Sequence, residues 1–257
     1  MKKIDAHAHI GDFGSWAGVD GSPEQLIAFM DEYEIEQTVL CAKDHTGNDG
    51  VAEAAARYPG RFIPLVYLNP LEDADICREK VETYVDGKGF RGIKMNPLRH
   101  AFVADDTAVD PVMEMARSRH LPVFIHSGHP PYSLPWSIAL LAERFPEVKT
   151  VMIHMGHGHG VYIDAALKMA KRFPNIYLEM SGIIYLTLRN SFLNFFVRKS
   201  CHAPYLPVLS MAYGSVQLKL AHAPVMIVNK RDQYSSSVSS SPSWISDFGL
   251  ERPSILM

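Results

Sequence analysis

The stretch Lys3-Ile4-Asp5-Ala6-His7-Ala8-His9-Ile10-Gly11-Asp12 decides the fold class. Its first half reads as a short strand, and the next helix opens at Ser22-Pro23-Glu24, with Ser22 as N-cap and Pro23 in the first turn. Working outward, β-like runs recur at Gln37 to Ala42, Phe62 to Leu68, Phe90 to Met95, Pro122 to His126, Thr150 to His154 and Ile176 to Met180. Helical patterns separate them near 51–58, 73–85, 110–118, 136–145 and 161–173. Strands that alternate with helices pair in parallel through crossovers, which leaves a closed (β/α)8 TIM barrel or an open doubly wound sheet. A doubly wound nucleotide binder carries a glycine-rich turn after its first strand, and His7-Ala8-His9-Ile10-Gly11-Asp12 stands there instead. The pattern predicts the barrel, whose catalytic side chains sit at the carboxyl ends of several strands.

Composition agrees and narrows the function. The chain has 257 residues, 47% hydrophobic and 21% charged, with a net charge of -3. These values exclude disordered, collagen-like and coiled-coil classes and give no electrostatic reason to bind nucleic acid or a membrane. No apolar run approaches the roughly 18 residues of a membrane span, so a cytoplasmic protein is expected. Cys41, Cys77 and Cys201 are too few and too scattered for a disulfide framework and read as reduced, packed thiols.

The histidines carry the chemistry. Side chains along a strand alternate faces, so His7 and His9 share one side and can pinch a metal ion. His126 closes the fifth run and His154 the sixth, each after an isoleucine expected to face the helices. One such histidine is ordinarily a hydrogen-bonded loop residue; four converging at one end of a barrel are not explained by packing. Imidazoles suit zinc first, then manganese or iron, and a catalytic site leaves one position open for water. Lys94, at the end of the fourth run, reads as an anchor for a substrate carboxylate, with Arg99 and His100 in the following loop as helpers or solvated residues. Glu179 and Ser181 end the seventh run and face the mouth if Leu178 and Met180 face the helices; substrate contact and polar lining are both open. His157 and His159 fall on the glycine-rich loop after the sixth run, as substrate-loop or exposed residues.

Four segments carry a resemblance: Ile4-Asp5-Ala6-His7-Ala8-His9, Gly89-Phe90-Arg91-Gly92-Ile93-Lys94-Met95-Asn96-Pro97, Val123-Phe124-Ile125-His126-Ser127-Gly128 and Ile176-Tyr177-Leu178-Glu179-Met180-Ser181-Gly182. In this order they resemble the amidohydrolase-related TIM-barrel hydrolases, a branch that also holds metal-dependent decarboxylases. The resemblance implies that His7, His9 and His126 bind a divalent metal and that His154 is a second-metal ligand or the acid/base. It also allows Lys94 to be a carboxylated, metal-bridging lysine. The implied activity is hydrolysis of a small carboxylate-bearing amide, ester or lactone by metal-activated water, with non-oxidative decarboxylation as the alternative. The expected partner is a small-molecule substrate, and self-association into a homo-oligomer is open.

The last quarter departs from this pattern. Residues 1–181 carry a net charge of -7 and residues 182–257 one of +4, and serines concentrate in the latter, as in Ser235-Ser236-Ser237-Val238-Ser239-Ser240-Ser241. The resembling family places an aspartate at the end of strand eight in a Gly-Ser/Thr-Asp-x-Pro setting, which ligates metal and takes the proton of the attacking water. Asp247 and Asp232 are only faint echoes of it. The chain thus divides into 1–182, strands one to seven, and 183–257, an aberrant segment in place of the closing units. A shifted reading frame and genuine divergence both account for the second part. A barrel without that aspartate is either inactive or uses another base.

Overall fold

The computed structural model describes residues 3–13, 20–43, 47–157 and 160–181. Seven strands form one sheet in chain order: β1 (Lys3–Ile10), β2 (Ile35–Ala42), β3 (Phe62–Leu68), β4 (Ile93–Met95), β5 (Val123–His126), β6 (Thr150–Ile153) and β7 (Ile176–Leu178). Every neighbouring pair is parallel. The connections carry α1 (Pro23–Glu32), α2 (Asn48–Arg57), α3 (Ala74–Val81, continued by a π-helical turn, Glu82–Gly87), α4 (Pro97–His100), α5 (Asp110–Ser118), α6 (Pro135–Arg144) and α7 (Gly160–Arg172). A doubly wound sheet must reverse its strand order, and this one does not. These are six consecutive βα units and the seventh strand of a TIM barrel. The eighth strand, the segment from 183 onward with Asp232 and Asp247, and His159 lie outside the described residues.

Local chemistry sets the element ends as expected. The Ser22 hydroxyl accepts from the Gln25 amide at 3.3 Å to open α1, and the Asp73 carboxylate caps α3 by accepting from the Asp75 amide. Asn48 at the start of α2 exchanges two hydrogen bonds with the backbone of Tyr67, fixing that helix to β3. β4 is shorter than its apolar run, because Phe90 turns away to pack on Tyr84, with ring centroids 5.2 Å apart.

Two apolar layers separate along each strand. Ile4, Ala6, Val39, Cys41, Ile63, Leu65, Phe124, Val151, Ile153 and Tyr177 fill the barrel interior. Leu40, Ala42, Val66, Leu68, Ile93, Met95, Val123, Ile125, Met152, Ile176 and Leu178 pack outward against the helices. Gly92 is required on the inner wall, where a Cβ would stand 2.8 Å from Leu65 Cδ2 and 3.0 Å from the Pro122 carbonyl.

Two irregularities adjust what reaches the mouth. On β1, Ile4 and Ala6 face inward while Ala8 and Ile10 face outward, although all four are even-numbered. A β-bulge reconciles them: Asp5 to Ala8 advances three residues where the partners on β2, Thr38 to Leu40, advance two. The bulge turns His7 and His9 to the inside. On β6 the expectation that Ile153 faces the helices is corrected: it lies in the barrel interior. His154 nonetheless reaches the mouth, because the chain turns sharply through positive φ at His154 (64°), Met155 (31°), Gly156 (104°) and His157 (49°). Left-handed backbone at three non-glycine residues within four positions, His154, Met155 and His157, is strained.

Candidate functional site

The carboxyl ends of β1, β5 and β6 bring four imidazoles together. The His7 ring lies 4.5 Å from that of His9 and 5.4 Å from that of His154, and His154 is 4.7 Å from His126, centroid to centroid. Lys94 enters from β4 with its side chain wholly buried, its Nζ 3.5 Å from His7 Nε2. Glu179, equally buried after β7, stands 3.7 Å from His7 Nδ1.

Hydrogen bonds hold these groups in place. Glu179 Oε2 accepts from the His154 backbone amide at 3.1 Å and from the Ser181 hydroxyl at 2.9 Å, while Oε1 accepts from the Ser181 amide. His154 Nδ1 lies 2.6 Å from the Ser181 carbonyl, so a proton there donates to it and leaves Nε2 as the free lone pair. His9 repeats the arrangement, with Nδ1 3.1 Å from the Ala42 carbonyl. A histidine fixed in this way presents its other nitrogen to a metal. Asp5, buried beneath, accepts from the His7 amide through Oδ1 at 3.2 Å, and its Oδ2 has no hydrogen-bond partner among the described residues.

Burial governs the electrostatics. It holds His7 well below the ordinary imidazole value, helped by the nearby Lys94 ammonium, and lowers His126 for the same reasons. It brings His154 down to about 3 and Lys94 to about 8. It raises Glu179, lifts Asp5 to about 7 and pushes the Cys41 thiol up to about 11. Near neutral pH His7, His126 and His154 are therefore uncharged and their lone pairs available, as metal ligation requires. Three donor groups fall within 4.8 Å mutual reach: His7, His9 and Cys41; His7, His154 and Glu179; and His126, His129 and His157.

Of the residues singled out in the sequence, His7, His9, His126, His154, Lys94, Glu179 and Ser181 meet at this end. Arg99 does not join them: it is exposed on α4, where its backbone amide donates to the capping Asn96 side chain. His100 packs its ring on Tyr67 at 5.4 Å. His157 is half-buried in the cluster, with its ring 5.1 Å from His154. Sequence reasoning missed Asp5, Ser127 and His129, and took Cys41 as packing alone although its Sγ is 3.4 Å from His9 Nδ1. The signal for Ser127 and His129 was their place immediately after His126. A pocket of about 660 Å³ opens at the opposite, amino end of the strands, lined by Arg91, Arg119 and Lys149 among others, away from the strand-end histidines.

Comparison with known proteins agrees with this picture. The amidohydrolase family model matches residues 4–210. No curated protein matches the chain. Among solved structures, an uncharacterized TIM-barrel protein from Bordetella bronchiseptica superposes with a TM-score of 0.60 at 20% identity, over 77% of this chain and 81% of that one. A probable 2-pyrone-4,6-dicarboxylic acid hydrolase from Acinetobacter baumannii, solved with citric acid bound, gives 0.53 at 17% identity, over 76% and 75%. A dihydroxybenzoic acid decarboxylase from Polaromonas, solved with manganese and 2-nitroresorcinol, gives 0.51 at 19% identity, over 69% and 77%. Matched over most of its length and folded as a TIM barrel with histidines at its strand ends, the chain belongs to the amidohydrolase family.

Proposed function

We propose that the chain is a metal-dependent hydrolase acting on a small carboxylate-bearing amide, ester or lactone. The observation that carries this reading is the convergence of His7, His9, His126 and His154 beside the buried Glu179. That donor set fits a divalent cation. His7, His9 and His126 would hold it, with zinc first and manganese or iron next. Such an ion supplies Lewis acidity toward water and the scissile carbonyl.

The chain's own groups do the rest. His154, with Nδ1 committed to the Ser181 carbonyl, offers Nε2 to take a proton from attacking water and return it to the leaving group. Glu179 fixes the start of that turn through the His154 amide and the Ser181 hydroxyl, so its carboxylate positions the base. Lys94 is assigned the substrate carboxylate. Charge supports an anionic substrate: Asp5 and Glu179 against Lys94 leave at most one negative charge in the buried site, which a divalent cation overturns. The Acinetobacter protein is a probable hydrolase of a pyrone dicarboxylic acid, a substrate of this class. The Polaromonas relative is a decarboxylase with manganese, which makes carbon dioxide release the alternative outcome and manganese part of the metal panel.

Elemental analysis of the purified protein beside His7→Ala and His9→Ala tests the centre, with metal expected in the wild type and reduced in both variants. Equal content in all three overturns it. A panel of carboxylated lactones, esters and amides, scored for hydrolytic product and for carbon dioxide, then tests the reaction. Carbon dioxide without hydrolysis replaces the hydrolase reading with the decarboxylase one.

A further inference from the structure

We infer that His126, His129 and His157 form a second, outer metal site at the lip of the barrel, distinct from the centre around His7 and His9. Their donor atoms lie within 4.8 Å of one another, and all three residues are half-buried. His126 and His129 stack at 4.9 Å with 10° between ring planes, and His129 lies 4.4 Å from His157. Three imidazole nitrogens around a tetrahedral ion stand about 3.3 Å apart, given metal–nitrogen distances of about 2.0–2.1 Å.

The backbone beneath is built to hold the three together. Ser127 Oγ, wholly buried, donates to the Ile153 carbonyl at 2.6 Å and accepts from the Gly156 amide at 3.0 Å, tying the loop after β5 to the turn after β6. Gly128, at φ +92°, lets the loops touch: a Cβ there would stand 2.5 Å from the Gly156 carbonyl carbon and 2.6 Å from His157 Cβ. Ser133 closes the His129 side, its carbonyl accepting from the Gly128 amide and its own amide donating to the His129 carbonyl. The donors are three neutral-type nitrogens with positions left for water, which selects a borderline divalent cation such as zinc over magnesium or calcium. His126 belongs to both centres: its ring has two nitrogens, so as an imidazolate it can bridge them, and His154 keeps Nε2 as the base.

The outer site does not rest on the reading of the inner one, and the test separates them. The full chain is stripped with chelator, dialysed against zinc and analysed for metal beside His129→Gln/His157→Gln and His7→Ala/His9→Ala. The outer variant is expected to hold one equivalent less than wild type, and the inner variant to keep the outer equivalent. An outer variant that retains the wild-type stoichiometry overturns the proposal and leaves the inner centre standing. A second measurement needs no variant: carbethoxylation of His129 and His157 by diethyl pyrocarbonate, followed by peptide mass spectrometry, is expected to fall at least fivefold with zinc. Equal modification with and without zinc overturns the outer site.

Discussion

At the scale of single residues, the site is made of groups whose surroundings contradict their usual habits. Asp5 is a carboxyl under a bulge, with one oxygen on the His7 amide and the other unpaired among the described residues. Its value in the folded protein, about 7, lies above the ordinary 3.8, so the folded chain holds that proton more tightly than the unfolded one. The resulting stability is fully present below about pH 4 and lost as pH rises through 7. In metal-free protein, Asp5→Asn should therefore gain stability relative to wild type between pH 5 and pH 8, read as urea midpoints. Parallel profiles would refute the account. Ser127 is a second case: Ser127→Ala strands the Gly156 amide and should cost about 1–3 kcal/mol in denaturant unfolding. The strand-end histidines and Lys94 were legible because each is a polar residue at or beside the end of a short apolar run. Ser127 and His129 were not, since their meaning depends on a neighbouring loop about 30 residues away, and the direction of Arg99 was not, because a charge in a loop carries none.

At the scale of elements, the strands were legible where burial on both faces writes a continuous apolar run, as in Phe62–Leu68, which the structure reproduces residue for residue. Facing was harder to read. Alternation holds along β6, with Val151 and Ile153 inward and Met152 outward, and it breaks at His154, which the turn redirects through left-handed backbone. The two loops that carry His126, His129, His154 and His157 meet at Gly128, where both conformation and space exclude a side chain. Gly128→Ala is expected to destabilise the protein by more than about 2 kcal/mol, since strain at positive φ adds to a backbone clash. A melting temperature within 1 °C of wild type would contradict the close approach.

At the scale of the whole molecule, the alternation of strands and helices announced the barrel, and the unbroken strand order bears it out. The family match runs from residue 4 to 210, past the break in charge and serine content near 182. A metal that binds only the folded chain stabilises it by about 2.7 kcal/mol at a hundredfold excess over its dissociation constant. Chelation should thus lower the melting temperature by roughly 5–10 °C, reversed by zinc, and an unchanged melting curve would deny that the ion is part of the fold. The bulge in β1 has a wider consequence. Counted as a wave of period two, this strand slips by half a period between Ala6 and Ala8, so its floor and its histidines are two signals written out of phase on one segment. A saturation-mutagenesis map should show the slip directly, with residues required at 4 and 6 and again at 7 and 9. Deleting one residue at the slip would rotate the histidines half a turn into the helical shell, abolishing metal uptake while the strand still pairs with β2. The number of residues in β1 is itself a component of the metal centre.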